Sequence, residues 1–78
     1  MTLKIISPDE VLYQGEAKAV TLPGTMGAFT VLNNHASLVS TLVAGKLSFT
    51  DASGAVQTRE ISGGVADVDS NVVSVCLY

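Results

Sequence analysis

The chain has 78 residues and a net charge of −3, from four basic and seven acidic side chains. A chain this short forms one domain, which buries only about 60–65% of the surface that its unfolded form exposes. A partner is the expected source of extra stability, because a single cysteine excludes an internal disulfide and a cysteine-based zinc site. The four basic residues are scattered, so the concentrated positive charge of a nucleic-acid binder is absent.

Membrane insertion and secretion find no support in the sequence. Apolar residues make up 47% of the chain, but every apolar run is far shorter than the ~18–20 residues that span a bilayer. The opening Met1-Thr2-Leu3-Lys4 lacks the basic region and apolar core of a signal peptide. We therefore expect a soluble, acidic domain.

Apolar and polar residues alternate along most of the chain, and turn residues interrupt them at short intervals. Alternation with period two is typical of half-buried strands, and short strands between frequent turns favour a sandwich or barrel. The predicted strands span residues 3–7, 11–14, 16–22, 28–32, 38–42, 46–50, 56–61, 65–68 and 72–77. The sequence thus predicts an all-β fold of short strands that forms one domain over residues 1–78.

Two of the predicted turns are specific enough to be checked in the structure. Gln14-Gly15 separates the second predicted strand from the third, and Asp51-Ala52-Ser53-Gly54 is the clearest hairpin turn, with Gly54 at positive φ. One segment is open to a second interpretation, because a helical turn would place five apolar residues on one face: Ala36, Leu38, Val39, Leu42 and Val43.

The uncharged stretch Leu22-Pro23-Gly24-Thr25-Met26-Gly27-Ala28-Phe29 joins two predicted strands. A phosphate loop would need a helix N-terminus and a nearby lysine, and strand residues follow here instead. Phe29 is expected to enter the core with Val31, since both lie on one strand face. Met26 then stays near the tip, where flanking glycines allow close approach to a partner. We interpret this loop as a docking element.

Candidates for catalysis are sparse. His35 is the only histidine; Ser37 and Ser40 lie nearby, but no acidic residue between Glu16 and Asp51 is available to orient a base. A structural or interfacial role is therefore favoured for His35. No active site and no cofactor are expected.

Two other chemical candidates have simpler interpretations. Asp67-x-Asp69-x-Asn71 matches the opening of a calcium loop, but Val72 and Tyr78 stand at the sixth and twelfth positions, where glycine and glutamate are needed. An acidic hairpin turn is the expectation there. Cys76 lies among apolar residues of the last predicted strand and is expected to be a small packed side chain.

Nearly the whole chain resembles one family, the amino-terminal β domain of the epsilon subunit of rotary ATP synthases. The most specific part is the block from Thr21-Leu22-Pro23-Gly24 to His35-Ala36-Ser37-Leu38. Supporting motifs, in the expected order, are Leu3-Lys4-Ile5-Ile6-Ser7-Pro8, Val11-Leu12-Tyr13-Gln14-Gly15-Glu16, Gly45-Lys46-Leu47, Ile61-Ser62-Gly63-Gly64-Val65 and Asn71-Val72-Val73-Ser74-Val75.

The resemblance implies a flattened two-sheet β-sandwich and a non-catalytic role. Members of the family are rotor subunits of the central stalk that bind the gamma subunit and the c-ring and help couple ion flow to ATP synthesis. It also implies a peripheral location on the cytoplasmic face of the bacterial inner membrane. The residues that it implies for the c-ring side are Gly24, Thr25, Met26, Gly27 and Ala28, with His35 close by; the gamma-facing residues stay unassigned.

The sequence departs from the family pattern at the loop and at its end. Acidic residues usually stand where Met26 and Ala28 are found, so we expect a more apolar or backbone-mediated contact. Members usually continue into two helices that restrain ATP hydrolysis, whereas this chain ends at Tyr78; helix-dependent inhibition and ATP binding are therefore expected to be absent. A free-standing binding module and a small enzyme remain as alternatives.

Overall fold

The computed structural model describes residues 1–78 and consists of eight strands joined by turns, without a helix. In chain order the strands are β1 Thr2–Ile6, β2 Val11–Gly24, β3 Gly27–Leu32, β4 Leu38–Leu42, β5 Gly45–Asp51, β6 Val56–Ile61, β7 Gly64–Asp69 and β8 Val72–Leu77. The predicted all-β fold is confirmed. None of the chain forms a helix that is long and apolar enough to cross a membrane.

The strands form two layers that share β2. One layer has the order β1-β8-β7-β4, with β1 and β8 parallel and the other pairs antiparallel. The first half of β2 pairs with β1, while its second half lies between β3 and β5, and β6 flanks β5. The register of β2 shifts between Ala17 and Ala19, where it leaves one layer for the other. The result is a flattened sandwich of 26 × 24 × 18 Å.

Inward-facing side chains of both layers make one apolar core, and no polar or charged residue is buried. Leu3 and Val75 face it from one layer and Leu22 and Phe49 from the other, each at most 2% exposed. The Tyr13 ring lies against Phe49, with ring centroids 4.4 Å apart. Close packing of this kind makes a small sandwich stiff.

The predicted turn at Gln14-Gly15 is wrong, because residues 11–24 form the single strand β2. Gly15 lies opposite Leu3 in the β1–β2 ladder. The Tyr13 side chain requires a glycine at this position. The Tyr13 hydroxyl lies over Gly15 and donates to Glu16 O at 3.0 Å, so a Cβ on Gly15 would lie 3.1 Å from that hydroxyl. The glycine therefore marks an aromatic contact within a strand and no chain reversal.

The helical interpretation of residues 36–43 is also wrong, since β4 pairs with β7 from Leu38 to Leu42. Alternation separates the side chains that a helix would have brought to one face. Leu42 is 4% exposed, whereas Val39 is 71% exposed.

The same alternation overturns the packed position expected for Cys76. Val73 and Val75 on β8 point into the core, so Cys76, one residue further, points outward and is exposed. On β3 the expectation is confirmed: Val31 is buried, and Phe29 is half-buried and packs against the core.

Candidate interaction surface at the hairpin tip

Residues 24–28 form the outer end of the β2–β3 hairpin, and we call them the hairpin tip. Gly24 and Gly27 face each other in the ladder, so Thr25 and Met26 make up a two-residue loop. Gly27 has a φ of 121°, which side-chain-bearing residues rarely adopt, and a Cβ there would contact nothing within 4 Å. Its requirement for glycine is conformational.

Gly24 is glycine for a different reason. A Cβ on Gly24 would lie 2.8 Å from Gly27 O and 2.8 Å from Cε1 of Phe29. The Phe29 ring therefore occupies the space that a side chain at Gly24 would need. This contact joins the tip to the edge of the core and limits how the hairpin bends.

Hydrogen bonds to β4 hold the tip from the side. The Thr25 amide donates to Thr41 O at 3.0 Å, and the Thr25 hydroxyl lies 3.0 Å from Thr41 O and 2.6 Å from Thr41 Oγ1. The Val43 amide donates to Pro23 O at 2.9 Å. The loop is thus attached to a second strand end, and its main chain has little freedom.

The side chains that this rigid frame presents are uncharged. Met26 is 99% exposed, Ala28 is exposed, and Val43 beside them is 45% exposed. No Asp, Glu, Lys or Arg occurs from Ala19 to Gly45. A flexible thioether on a fixed turn adapts well to an apolar or backbone surface of a partner.

His35 does not lie near the tip, which corrects the expectation that it is close by. The tip is at one end of β3, and His35 follows Leu32 at the other end, where its amide donates to Leu32 O at 3.2 Å. Strand β3 is about 17 Å long and runs from Gly27 in the tip to Leu32, so His35 lies beyond its far end. His35 is exposed, and its Nδ1 lies 2.7 Å from Ala36 O. It cannot join Met26 in one compact contact.

The serines near His35 in sequence are engaged elsewhere. Ser37 donates to Asp69 Oδ1 at 2.8 Å, and Ser40 donates to Thr41 O at 3.0 Å. The acidic motif forms the β7–β8 hairpin turn, in which Ser70 and Asn71 have φ values of 51° and 63°. Two successive positive φ values are typical of the tightest β-hairpin loops. The structure contains no pocket and no cluster of three metal-ligating side chains.

The turn after β5 depends on one carboxylate. Asp51 accepts from the Ser53 hydroxyl at 2.6 Å, the Gln57 amide group at 3.1 Å and the Ala55 main chain at 3.0 Å. The pKa of Asp51 is lowered, first by the Ser53 hydroxyl and then by Gln57. Gly54 has a φ of 91°, which confirms the expected positive value.

Two residues of this surface were missed from the sequence. Thr41 lies 16 residues along the chain from its partner Thr25 and Val43 lies 20 residues from its partner Pro23, and no local pattern links them. One sequence signal does connect Thr41 and Val43 with the loop, namely the absence of charged residues from Ala19 to Gly45. This uncharged stretch spans β3, β4 and the adjoining half of β2.

The sequence model of the "ATP synthase, Delta/Epsilon chain, beta-sandwich domain" matches residues 1–77. The ATP synthase epsilon chain of Sulfurimonas denitrificans is 41% identical over 75 residues, which cover 96% of this chain and 58% of that relative. The epsilon chain of Leptospira borgpetersenii is 36% identical over the same shares of both chains. The present chain therefore spans somewhat more than half the length of these relatives.

Solved structures agree with the sequence comparison. A chain in the cryo-EM structure of the Euglena gracilis mitochondrial ATP synthase, which comprises OSCP, F1 and the c-ring, is 30% identical with a TM-score of 0.90. The match covers 96% of this chain and 48% of that one. A chain in the Tetrahymena thermophila central stalk and c-ring has a TM-score of 0.80 at 13% identity, covering 97% and 61%. This second likeness supports the fold.

Proposed function

Because the chain belongs to the β-sandwich domain family of ATP synthase delta and epsilon chains, we propose that it is a rotor component of an ATP synthase central stalk. In this role it binds the gamma subunit and the c-ring and helps to couple ion flow to ATP synthesis. The epsilon chain is a subunit of the complex other than the catalytic one. We place this chain at the cytoplasmic face of the bacterial inner membrane, as a peripheral part of the complex.

The observation that carries the c-ring part of the proposal is the rigid, uncharged hairpin tip. Glycine geometry, the Phe29 ring and the bonds to Thr41 hold the loop, and Met26 extends from it at 99% exposure. A rotor contact has to transmit force without bending, and a main chain attached on two sides satisfies that need. In this proposal the tip contacts the c-ring through Met26 and the surrounding main chain, and His35 lies outside the contact.

The experiment measures binding of the chain to membranes that contain c-ring and gamma subunit but lack this chain. Burial of a methionine contributes about 1.5–3 kcal/mol, so we expect Met26→Ala to weaken binding by about tenfold or more. Val56→Ala is the matched control, since Val56 is 68% exposed but lies on β6, next to the Asp51 turn at the far end of β5 from the tip. It should leave binding within twofold of the parent chain.

Salt dependence tests the chemistry of the contact. An uncharged tip predicts that raising salt from about 0.1 M to 1 M changes the Met26-dependent part of binding by less than about twofold, because screening acts on charges. Equal binding of Met26→Ala and Val56→Ala would refute the tip contact. Absence of any binding to these membranes would refute the rotor assignment and favour a free-standing binding module.

A further inference from the structure

The two methionines of the chain lie in opposite environments. Met26 is 99% exposed on the hairpin tip, whereas Met1 is 5% exposed and belongs to the apolar core. Hydroperoxides oxidise methionine to methionine sulfoxide, and an exposed side chain meets the oxidant in solution while a core side chain does not. The fold therefore directs the oxidation of methionine to the hairpin tip.

Oxidation turns the most exposed apolar side chain of the tip into a polar one. The lone pair of the Met26 sulfur attacks one oxygen of hydrogen peroxide, the S–O bond forms as the O–O bond breaks, and the second oxygen leaves as water. The sulfur loses two electrons, which the peroxide takes up. The product carries a strong hydrogen-bond acceptor in place of an apolar thioether.

The tip has few groups that could pair with this new acceptor. The Thr25 amide already donates to Thr41 O, and the Thr25 hydroxyl lies within hydrogen-bond distance of Thr41 O and Thr41 Oγ1. No Lys or Arg occurs from Ala19 to Gly45. In the free chain, water solvates the sulfoxide oxygen, and a contact that buries Met26 would remove this water without replacing it from the tip. Burial of an unpaired polar group is unfavourable.

The fold itself does not depend on the Met26 side chain. At 99% exposure this side chain packs against nothing in the domain. The loop is held by Gly27, with its φ of 121°, and by the hydrogen bonds between Thr25 and Thr41. Oxidation therefore changes the chemistry of the surface and leaves the stability of the domain unchanged.

We propose that Met26 is a site of reversible oxidation by hydroperoxides, and that its sulfoxide prevents the hairpin tip from contacting the c-ring. The free chain is the form that reacts, because the contact would cover the Met26 side chain. Methionine sulfoxide reductases reverse the oxidation with electrons from a dithiol, which becomes a disulfide as the oxygen leaves in water. The selective reactivity follows from the fold alone, whereas the effect on binding rests on the proposed function.

The first test measures reactivity in the 78-residue chain with Cys76→Ser, because the exposed Cys76 thiol also reacts with peroxide. Hydrogen peroxide should oxidise Met26 at least about tenfold faster than Met1 in the folded chain, as measured by peptide mass spectrometry, and the two rates should converge in urea. Tm of the oxidised chain should stay within about 4 °C of that of the reduced chain, the range expected for a change at an exposed position.

The second test measures binding to membranes that contain c-ring and gamma subunit but lack this chain. The chain is oxidised alone, and the peroxide is removed before mixing. We expect the sulfoxide to weaken binding by about tenfold or more, and methionine sulfoxide reductases with dithiothreitol to restore it. Met26→Leu has no thioether at the tip, so its binding before and after peroxide treatment should agree within about twofold.

The outcomes separate this proposal from the proposed function. If Met26→Ala weakens binding but the sulfoxide does not, the redox effect is refuted and the tip contact stands. If Met26→Ala binds as well as Val56→Ala, the tip contact fails and the redox effect on binding fails with it. Equal oxidation rates of Met26 and Met1 in the folded chain, or an oxidised chain whose Tm falls by more than about 4 °C, would also overturn the proposal.

Discussion

At the scale of single residues, the hairpin tip depends on two glycines with different physical requirements. Gly27 supplies a backbone conformation with φ of 121°, and Gly24 leaves room for the Phe29 ring and for Gly27 O. The first requirement concerns the main chain alone, and the second concerns packing. Substitutions at the two positions therefore test separate causes.

Gly24→Ala is expected to destabilise the domain by about 1–3 kcal/mol, the usual cost of inserting a methyl group where no space exists. The added Cβ would meet backbone and ring atoms at 2.8 Å, and the backbone cannot move away without breaking the Gly24–Gly27 pair. Urea unfolding monitored by circular dichroism measures the loss. Ala28→Ser, at an exposed position of the same tip, should stay within about 0.5 kcal/mol of the parent chain.

Asp51 gives a prediction about pH. Its pKa is lowered in the folded chain, so the folded state favours the carboxylate and gains stability above the pKa of the unfolded chain. That stability is lost as pH falls from about 4 through the lowered value. We expect thermal melts of Asp51→Asn to depend less on pH in this window than melts of the parent chain. Parallel pH profiles for the two would contradict the assigned role of the Ser53 and Gln57 hydrogen bonds.

At the scale of elements, the end of β4 positions the β2–β3 hairpin. Gly24 and Leu42 form the single ladder pair between β2 and β4, and the Thr25 side chain adds contacts to Thr41. Without them the tip would be an isolated two-residue loop at the end of an edge hairpin. The neighbouring strand end makes it a fixed feature of the surface.

Thr25→Val removes the hydroxyl while keeping the shape of the side chain. We expect a loss of about 0.5–1.5 kcal/mol and faster hydrogen exchange at the Thr25 and Val43 amides, since both donate across this junction. Exchange measured by NMR reports the effect residue by residue. Thr58→Val on the exposed strand β6 is the control, and it should leave both amides unchanged. Unchanged exchange in Thr25→Val would show that the hydroxyl does not hold the tip.

At the scale of the whole molecule, the two-layer sandwich derives its stability from one small core. The core contains 15 buried residues in a chain of 78. Because so small a core leaves a small free energy of unfolding, a partner that covers one face adds a large fraction to the stability of the domain. The shared strand β2 makes the two layers one hydrogen-bonded unit. The domain is thus built to move as a single body.

If the gamma subunit binds the folded domain, it should raise the melting temperature by mass action. At a concentration about 100 times Kd the gain is about 2.7 kcal/mol, which corresponds to roughly 10 °C or more for a domain of this size. Differential scanning calorimetry with increasing gamma subunit measures the shift. A melt that does not move at saturating gamma would contradict the gamma-binding part of the proposed function.

Local patterns in the sequence already determined the all-β class, most strand positions and the exposure of Met26. Period-two alternation and turn residues act between neighbours in the chain, so they can be read without knowing the fold. The turn at Asp51-Ala52-Ser53-Gly54 is one example, because its carboxylate, hydroxyl and glycine lie within four residues.

The tertiary structure decided what depends on residues far apart in the chain. Gly15 continues β2 because Tyr13 covers it and Leu3 pairs with it, and neither contact has a local signature. His35 is separated from Met26 because a full strand runs between them, although both belong to one short motif in sequence. Each outcome follows from pairing between distant segments, which alternation along a single strand does not encode.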